Sequence, residues 1–227
     1  MKPVIGILAD ISKINYLNKE MPLYYSFVEY SHAIIKSGGI PIIIVPTKIV
    51  EYNKLKNSEI APLTNEEKEL LINQINLCDG IILPGGDRAF EHNYFVDTYT
   101  KENNIPTLGI CLGMQVMCIN KGDKLIRLEN DNHLKTTHEI KLYNSLKSMI
   151  GESHIIVNSY HRSVVPNSNG YQICAQSNDD VIEAVEDPTK LFRLGVQWHP
   201  EKDLENKINK EIFNKFINAA KDFKNKR

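Results

Sequence analysis

The segment Ile105-Pro-Thr-Leu-Gly-Ile-Cys-Leu-Gly-Met-Gln115 joins a short apolar run to a cysteine that is flanked by two glycines. The run Thr107–Ile110 predicts a buried strand, and the residues from Met114 to Asn120 predict a helix. A tight strand-to-helix turn is how α/β hydrolytic enzymes present a nucleophile, and the glycines leave room where neighbouring elements crowd that turn. The segment therefore predicts a nucleophile elbow with Cys111 at its tip.

Cys111 would lie at a helix N-terminus, where unpaired backbone N–H groups and the helix dipole favour an anion. Such a position favours the reactive thiolate form of a cysteine. The alternative interpretation is a buried core cysteine after a strand, since cysteine is among the most frequently buried residues. Taken alone, the elbow leaves both interpretations open.

Composition excludes several classes of function. The chain has 227 residues with 27 basic against 28 acidic side chains, so it lacks the electrostatic footprint of a nucleic-acid-binding protein. No segment approaches the roughly 20 apolar residues of a membrane span. The segment Met1–Leu8 predicts a first strand, because its apolar run is too short for a signal peptide. The cysteines have neither zinc-finger spacing nor the density of a disulfide scaffold, which favours a cytoplasmic location: Cys78, Cys111, Cys118 and Cys174.

The first half of the chain alternates predicted strands and helices. Thr64 and Glu67 have the spacing of a capping box at a helix start. The alternation predicts an α/β fold, with a mostly parallel central sheet and helices on both faces. The predicted strands are Val4–Leu8, Ile40–Val45, Gly80–Leu83 and Thr107–Ile110; the predicted helices are Tyr24–Ser37, Thr64 to about Asn76, and Arg88–Asn103.

After the elbow the pattern changes to short strand-like runs separated by turn residues. These predict additional antiparallel strands in the C-terminal half, and the spacing within Leu204–Phe223 predicts a closing helix. Without a repeat or linker, residues 1–227 are expected to form a single domain. The runs are Lys124–Leu128, His138–Tyr143, His154–Asn158, Tyr171–Ala175, Val181–Val185 and Phe192–Gln197.

A second motif is Gly195-Val-Gln-Trp-His-Pro-Glu201. Pro200 disfavours a helical conformation at His199. In an extended chain, residues two apart project to the same side, so Glu201 is predicted to contact the imidazole of His199. A carboxylate on one ring nitrogen leaves the other free to accept a thiol proton. Cysteine, histidine and an orienting acid together are the parts of an acyl-transfer site.

The two motifs together resemble the class I glutamine amidotransferase-like superfamily, over nearly the whole chain. The segment Leu83–Gly86 is similar to the oxyanion loop of that superfamily. The segments Val28–Pro41 and Val157–Arg162 resemble the γ-glutamyl hydrolase branch, which includes γ-glutamyl-γ-aminobutyrate hydrolases. The resemblance implies a flavodoxin-like three-layer fold, a small-molecule γ-glutamyl substrate, a possible homodimer, and neither a cofactor nor a metal.

The resemblance also implies roles for individual residues. Cys111 would be the nucleophile, His199 the base and later the acid, and Glu201 the residue that orients His199. The backbone N–H groups of Gly86 and Leu112 would form the oxyanion hole. The residues implied near the γ-glutamyl group are Gln115 and the segment Asn158–His161, which includes Ser159, Tyr160 and His161.

The sequence departs from the γ-glutamyl hydrolase branch at two places that concern the leaving-group pocket. Leu112 stands where branch members carry arginine, and only 24 residues separate Gly86 from Cys111. The leading hypothesis is a free-standing γ-glutamyl amide hydrolase, and the second is a glutaminase subunit that supplies ammonia to a synthase partner. A non-enzymatic binding module is the third.

Several remaining residues are given no chemical role at this point. Cys118 is expected in the core, and Trp198 is expected to pack beside the site. The structural alternative for His161 is a histidine at a strand end. The other histidines lack metal-ligand spacing and are interpreted as ordinary: His32, His92, His133, His138 and His154.

Overall fold

The computed structural model describes residues 1–46 and 62–227. The strands are β1 (Val4–Leu8), β2 (Asp10–Tyr16), β3 (Lys19–Tyr25), β4 (Ile40–Ile44), β5 (Gly80–Leu83), β6 (Thr107–Ile110), β7 (Ile126–Arg127), β8 (Leu134–Leu142), β9 (His154–Tyr160), β10 (Ser163–Val164), β11 (Gln172–Ser177), β12 (Ile182–Glu186) and β13 (Arg193–Val196). The helices are α1 (Val28–Lys36), α2 (Asn65–Ile75), α3 (Glu91–Glu102), α4 (Leu112–Ile119), α5 (Asn144–Ile150) and α6 (Lys207–Lys226).

One large sheet forms the centre of the described chain, with the strand order β4-β1-β5-β6-β13-β12-β11-β8-β9. The pairings from β4 through β13 are parallel, and those from β13 through β9 are antiparallel. Strand β6, which leads into Cys111, lies between β5 and β13 in the parallel part. The carboxyl ends of these three strands therefore meet at one edge of the sheet, where α/β folds place their ligand sites.

Helices cover both faces of the sheet, as the alternating pattern predicts. On one face the apolar side chains of α1, α5 and α6 form a core with the sheet, including Ile34, Leu146 and Phe216. On the other face α2, α3 and α4 contribute Leu71, Val96 and Met117. The α/β fold with a largely parallel sheet and antiparallel strands in the C-terminal half is thus confirmed. Within the described residues, no helix is both long and apolar enough to cross a membrane.

The predicted helix Tyr24–Ser37 is wrong at its start. Tyr24 and Tyr25 belong to β3, which pairs with β2 as a hairpin, and the helix begins only at Val28. The two turn residues, Leu17 and Asn18, both have positive φ angles of 49° and 62°. Such turns normally carry an Asn-Gly or Asp-Gly pair, so Leu-Asn gave no hairpin signal in the sequence.

The C-terminal half follows the predicted order with two corrections. The run Lys124–Leu128 contains only the two-residue strand β7, which pairs with the unpredicted β10 in a small separate sheet. The prediction also missed α5, although Gly151 ends this helix with a positive φ of 76°, as a C-terminal glycine commonly does. The other predicted strands shift by a few residues at their ends.

Candidate active site

Cys111 forms a strained turn between β6 and α4. Its φ and ψ angles are 50° and −104°, a conformation that costs free energy for a residue with a side chain. Both flanking glycines are sterically required. A Cβ at Gly109 would lie 2.6 Å from the sulfur of Met117, and one at Gly113 would lie 2.1 Å from the carbonyl oxygen of Leu83. The predicted crowding around the elbow is confirmed.

The histidine motif lies just beyond the end of β13, next to β6. Nδ1 of His199 lies 2.7 Å from Oε1 of Glu201, and both side chains are largely buried. The predicted contact is present, but the predicted extended chain is wrong for Glu201. Pro200–Lys202 forms a turn of 3₁₀ helix, because proline at the first helical position fits the start of a helix.

The imidazole of His199 also contacts the thiol of Cys111. Burial alone would favour the neutral ring, but contacts with Cys111 and Glu201 outweigh it and raise the pKa of His199 to about 10. The cation is therefore the favoured form of this ring at neutral pH. A cationic imidazole beside a thiol is the arrangement that stabilises a thiolate nucleophile.

The loop after β5 closes over the thiol. A Cβ at Gly85 would lie 2.7 Å from Cε1 of His199 and 3.4 Å from Cβ of Cys111, so glycine is needed for this close approach. The N–H of Gly85 donates to the hydroxyl of Tyr30 at 2.9 Å. Burial and nearby Glu201 raise the pKa of Tyr30, so its hydroxyl stays protonated. Tyr30 thus connects the loop to the acid, a role that the sequence did not reveal.

Gly86 and Leu112, whose backbone N–H groups are expected to form the oxyanion hole, lie close together. Leu112 is in the first turn of α4, where backbone N–H groups lack acceptors within the helix. Gly86 is close to Leu112, because a Cβ on it would lie 3.1 Å from the Leu112 side chain. The same Cβ would lie 2.7 Å from Oδ2 of Asp10, a carboxyl group whose pKa is raised by burial.

Two glutamines lie behind the thiol. Nε2 of Gln197 is 3.5 Å from Sγ of Cys111. The side-chain oxygen of Gln197 accepts a hydrogen bond of 3.2 Å from Nε2 of Gln115, which also donates to the carbonyl of Ser163 at 2.8 Å. Gln115, predicted to bind substrate, therefore orients the Gln197 amide that contacts the Cys111 thiol. The role of Gln197 was not recognised in the sequence.

The side chains predicted to bind substrate around the end of β9 point to two different sites: one contacts His199, and the others contact His133 and Glu183. The ring of Tyr160 packs edge-on against His199, with centroids 5.7 Å apart. The hydroxyl of Ser159 instead donates to the backbone of His133, and Nε2 of His161 lies 3.6 Å from Glu183. Among these residues, Tyr160 is the one that the structure brings to the imidazole.

A family model described as glutamine amidotransferase class-I matches residues 44–219. The chain belongs to this family. It is 27% identical to a protein of Rickettsia prowazekii named as glutamine amidotransferase-like, over 97% of this chain and 98% of that protein. It is 28% identical to a CTP synthase of Chlamydia muridarum, over 73% of this chain but only 38% of that enzyme.

A solved relative has the same fold. The glutaminase domain of Trypanosoma brucei CTPS, with bound acivicin, superposes with a TM-score of 0.68 at 19% identity, over 97% of this chain and 94% of that domain. Membership of the class-I glutamine amidotransferase family indicates an enzyme that hydrolyses the side-chain amide of glutamine with a cysteine.

The remaining cysteines are poor nucleophiles, which singles out the elbow. All four cysteines are free and buried. Burial, together with nearby carboxylates, raises the pKa of Cys78 and of Cys118 to about 12. Burial also raises the pKa of Cys174, with a further contribution from Glu186. These three thiols therefore stay protonated, and Cys118 lies in the core as predicted.

Two histidines that were interpreted as ordinary have a different environment. His133 and His138 converge with His161 and Glu183, and one candidate ligand atom from each lies within 4.8 Å of the others. We call these four residues the histidine–glutamate cluster. The sequence did not show this convergence, because the four residues come from three segments that are far apart along the chain.

Proposed function

We propose that this chain is a free-standing cysteine hydrolase that cleaves the γ-glutamyl amide bond of a small γ-glutamyl amine. The observation that carries the proposal is the contact of Cys111 with His199, whose other ring nitrogen is held 2.7 Å from Glu201. A nucleophile, a proton carrier and an orienting acid are then assembled within one chain.

In the proposed reaction, the thiolate of Cys111 attacks the γ-carbonyl carbon and a carbon–sulfur bond forms. The backbone N–H groups of Gly86 and Leu112 stabilise the oxyanion, and one such donor is typically worth about 10²–10³ in turnover. Collapse breaks the carbon–nitrogen bond as the imidazolium of His199 gives its proton to the departing amine. Water then attacks the glutamyl thioester while His199 takes a proton from it. The carbon–sulfur bond breaks, which releases glutamate and regenerates the thiolate of Cys111.

Support for a γ-glutamyl amine as substrate comes from the part of the chain that resembles the γ-glutamyl hydrolase branch. Within it, the side chain of Asn158 makes two hydrogen bonds to the backbone of His199, and the ring of Tyr160 packs on the imidazole. The branch-like segment is therefore integral to the catalytic frame. A second branch-like element, α1, contributes Tyr30 to the oxyanion loop.

A glutaminase that supplies ammonia to a synthase is the second candidate. It is favoured by Leu112, which occupies the position after the nucleophile as in glutaminase modules of biosynthetic enzymes. The similarity to a CTP synthase over 73% of this chain points the same way. The two candidates share the chemistry of Cys111 and differ in the leaving group, an amine in the hydrolase and ammonia in the glutaminase.

Labelling with acivicin, an electrophilic glutamine analogue, tests the shared chemistry. After incubation with the purified chain, mass spectrometry is expected to find the label on Cys111 and none on a Cys111→Ala variant. Label on Cys78, Cys118 or Cys174 with Cys111 untouched would overturn the proposal. Cys118→Ala is the matched control, because this thiol lies two helical turns from the nucleophile and should be dispensable.

A substrate panel separates the two candidates. The purified chain is expected to cleave at least one γ-glutamyl amine with a higher kcat/KM than glutamine. Background rates on every γ-glutamyl amide, with a sharp rise when a co-purified synthase is added, would instead support the glutaminase subunit.

A further inference from the structure

The histidine–glutamate cluster is a buried polar site that the proposed reaction does not use. His133 lies just before β8, His138 within β8, His161 just after β9, and Glu183 in β12. The side chains of His133 and His161 are 2% exposed, that of Glu183 is fully buried, and that of His138 is 17% exposed. Three segments that are distant along the chain therefore bring ionisable groups to one point.

Six buried polar atoms of the cluster lack hydrogen-bond partners among the described residues. They are Nδ1 of His133, Nε2 of His138, both ring nitrogens of His161 and both carboxylate oxygens of Glu183. Native proteins rarely leave one buried polar group unsatisfied, because each costs about 1–3 kcal/mol and charged groups cost more. A concentration of such atoms at one point indicates a ligand that satisfies them together.

The separations between Glu183 and the three histidines fit a shared metal ion better than hydrogen bonds. Oε1 of Glu183 lies 3.3 Å from Nδ1 of His133, 3.5 Å from Nε2 of His138 and 3.6 Å from Nε2 of His161. Hydrogen bonds between nitrogen and oxygen cluster near 2.9–3.0 Å. Metal–ligand bonds of about 2.0–2.2 Å in a tetrahedron place the ligand atoms roughly 3.3–3.6 Å apart.

We propose that the cluster binds one divalent transition-metal ion, with Zn²⁺ as the best fit, through Nδ1 of His133, Nε2 of His138, Nε2 of His161 and a carboxylate oxygen of Glu183. Three imidazoles and one carboxylate are ligands that zinc accepts at tetrahedral sites. Since the protein supplies all four ligands, the site is structural and leaves no position for substrate.

A supporting shell and an access route accompany the ligands. Nε2 of His133, the nitrogen away from the cluster, lies 3.1 and 3.2 Å from the two carboxylate oxygens of Asp179. The hydroxyl of Ser177 donates to the same carboxylate at 2.5 Å. A carboxylate behind a ligating histidine fixes its tautomer and orientation. A surface pocket of about 280 Å³, lined in part by His133, His138 and Asp179, gives an ion access.

The bound ion would hold in place the segments that contact Cys111 and His199. The carbonyl of Glu183 accepts a 2.7 Å hydrogen bond from the N–H of Gln197, whose side chain contacts the Cys111 thiol. His161 directly follows Tyr160, whose ring packs on His199. An ion that joins β8, β9 and β12 would therefore fix β12, which holds Gln197 beside the thiol, and β9, whose Tyr160 packs on the imidazole.

Metal binding by the full-length chain is the first test. After chelator treatment and dialysis, titration with Zn²⁺ should show one ion per chain with a dissociation constant of about 10⁻⁷ M or tighter. Zn²⁺ should raise the thermal unfolding midpoint, and Co²⁺ in its place should give the visible absorption bands of a tetrahedral ion. Absence of stoichiometric binding by either ion, with the chain folded, would overturn the proposal.

Variants locate the binding site. His138→Gln, the mildest change because this ligand is partly exposed, should abolish stoichiometric Zn²⁺ binding. Asp179→Asn should weaken the affinity about 10–100-fold through the orientation of His133. Asp180→Asn is the matched control, because Asp180 is the exposed neighbour and already has a positive φ of 64°, which asparagine tolerates. Equal Zn²⁺ affinity in the wild type and all three folded variants would also overturn the proposal.

Discussion

Asn158 holds the backbone of His199 through a pair of reciprocal hydrogen bonds. Its side-chain nitrogen donates to the carbonyl of His199 at 2.8 Å, and its side-chain oxygen accepts from the N–H of the same residue at 2.9 Å. Asn158 belongs to β9, at the antiparallel edge of the sheet, whereas His199 follows the central strand β13. The imidazole is thus fixed at its backbone by Asn158 and at its ring by Glu201.

Replacing Asn158 with alanine should therefore lower activity through the position of His199. Each lost hydrogen bond is worth about 0.5–1.5 kcal/mol, so the pair corresponds to a decrease of roughly 5- to 150-fold in kcat/KM. Steady-state kinetics on the preferred amide would measure this decrease. Ile156→Ala is the matched control, because Ile156 lies two residues earlier on β9 and is exposed. A loss no larger than that of the control would contradict the positioning role.

Glu201→Gln should weaken turnover without abolishing it. The carboxylate contacts Nδ1 of His199 and orients the ring, but it makes no contact with the thiol in the described hydrogen bonds. Glutamine keeps an acceptor oxygen at this position and loses the negative charge. Rates are compared with those of Cys111→Ala, which removes the nucleophile. If a folded Glu201→Gln variant were as inactive as Cys111→Ala, Glu201 would have a direct chemical role.

The fold was predictable where a strand or helix has a clear pattern of apolar residues. The first parallel strands are short, mainly apolar runs, and three of them have the predicted bounds: Val4–Leu8, Gly80–Leu83 and Thr107–Ile110. The β2–β3 hairpin was not predictable, because its turn lacks glycine and because Pro22 and exposed polar residues weaken the strand pattern.

The site was predictable where the residues of one motif are contiguous in the sequence. The elbow around Cys111 and the His199–Glu201 pair are each read from one short segment. Gln197 and Tyr30 act through contacts across the sheet, and their polar side chains look like ordinary strand or helix residues in the sequence. The resemblance implied a place near the substrate for Asn158, but its hydrogen bonds to the backbone of His199 were not predicted. The histidine–glutamate cluster is an extreme case, since its geometry arises only from the antiparallel pairing of the C-terminal strands.

His199 should remain protonated at neutral pH. Its pKa is raised from 6.5 to about 10, so its contribution to stability is fully present below pH 6.5 and is lost as the pH rises through 10. An NMR titration of the imidazole nitrogens should give a midpoint well above 6.5, and Cys111→Ala should lower this midpoint because the thiol contact is removed. A wild-type midpoint at or below 6.5 would show that burial cancels or outweighs the effect of both contacts.

Gly113→Ala should destabilise the protein more than any ordinary glycine substitution. The new Cβ would lie 2.1 Å from the backbone oxygen of Leu83, and a backbone atom of a central strand cannot move aside as a flexible side chain can. Overpacking of a core typically costs about 1–3 kcal/mol, and we expect the upper end or beyond. The free energy of unfolding from urea titrations would measure the cost.

Gly122→Ala tests whether that cost is specific to the elbow. Gly122 lies just past the other end of α4 with a positive φ of 94°, and its Cβ would meet no described atom within 4 Å. This substitution carries only the left-handed backbone penalty of about 1–2 kcal/mol. Because the displaced strand β5 leads into the Gly85–Gly86 loop, Gly113→Ala should also lower kcat/KM, whereas Gly122→Ala should not. Equal destabilisation and equal activity of the two variants would show that the elbow tolerates a side chain at Gly113.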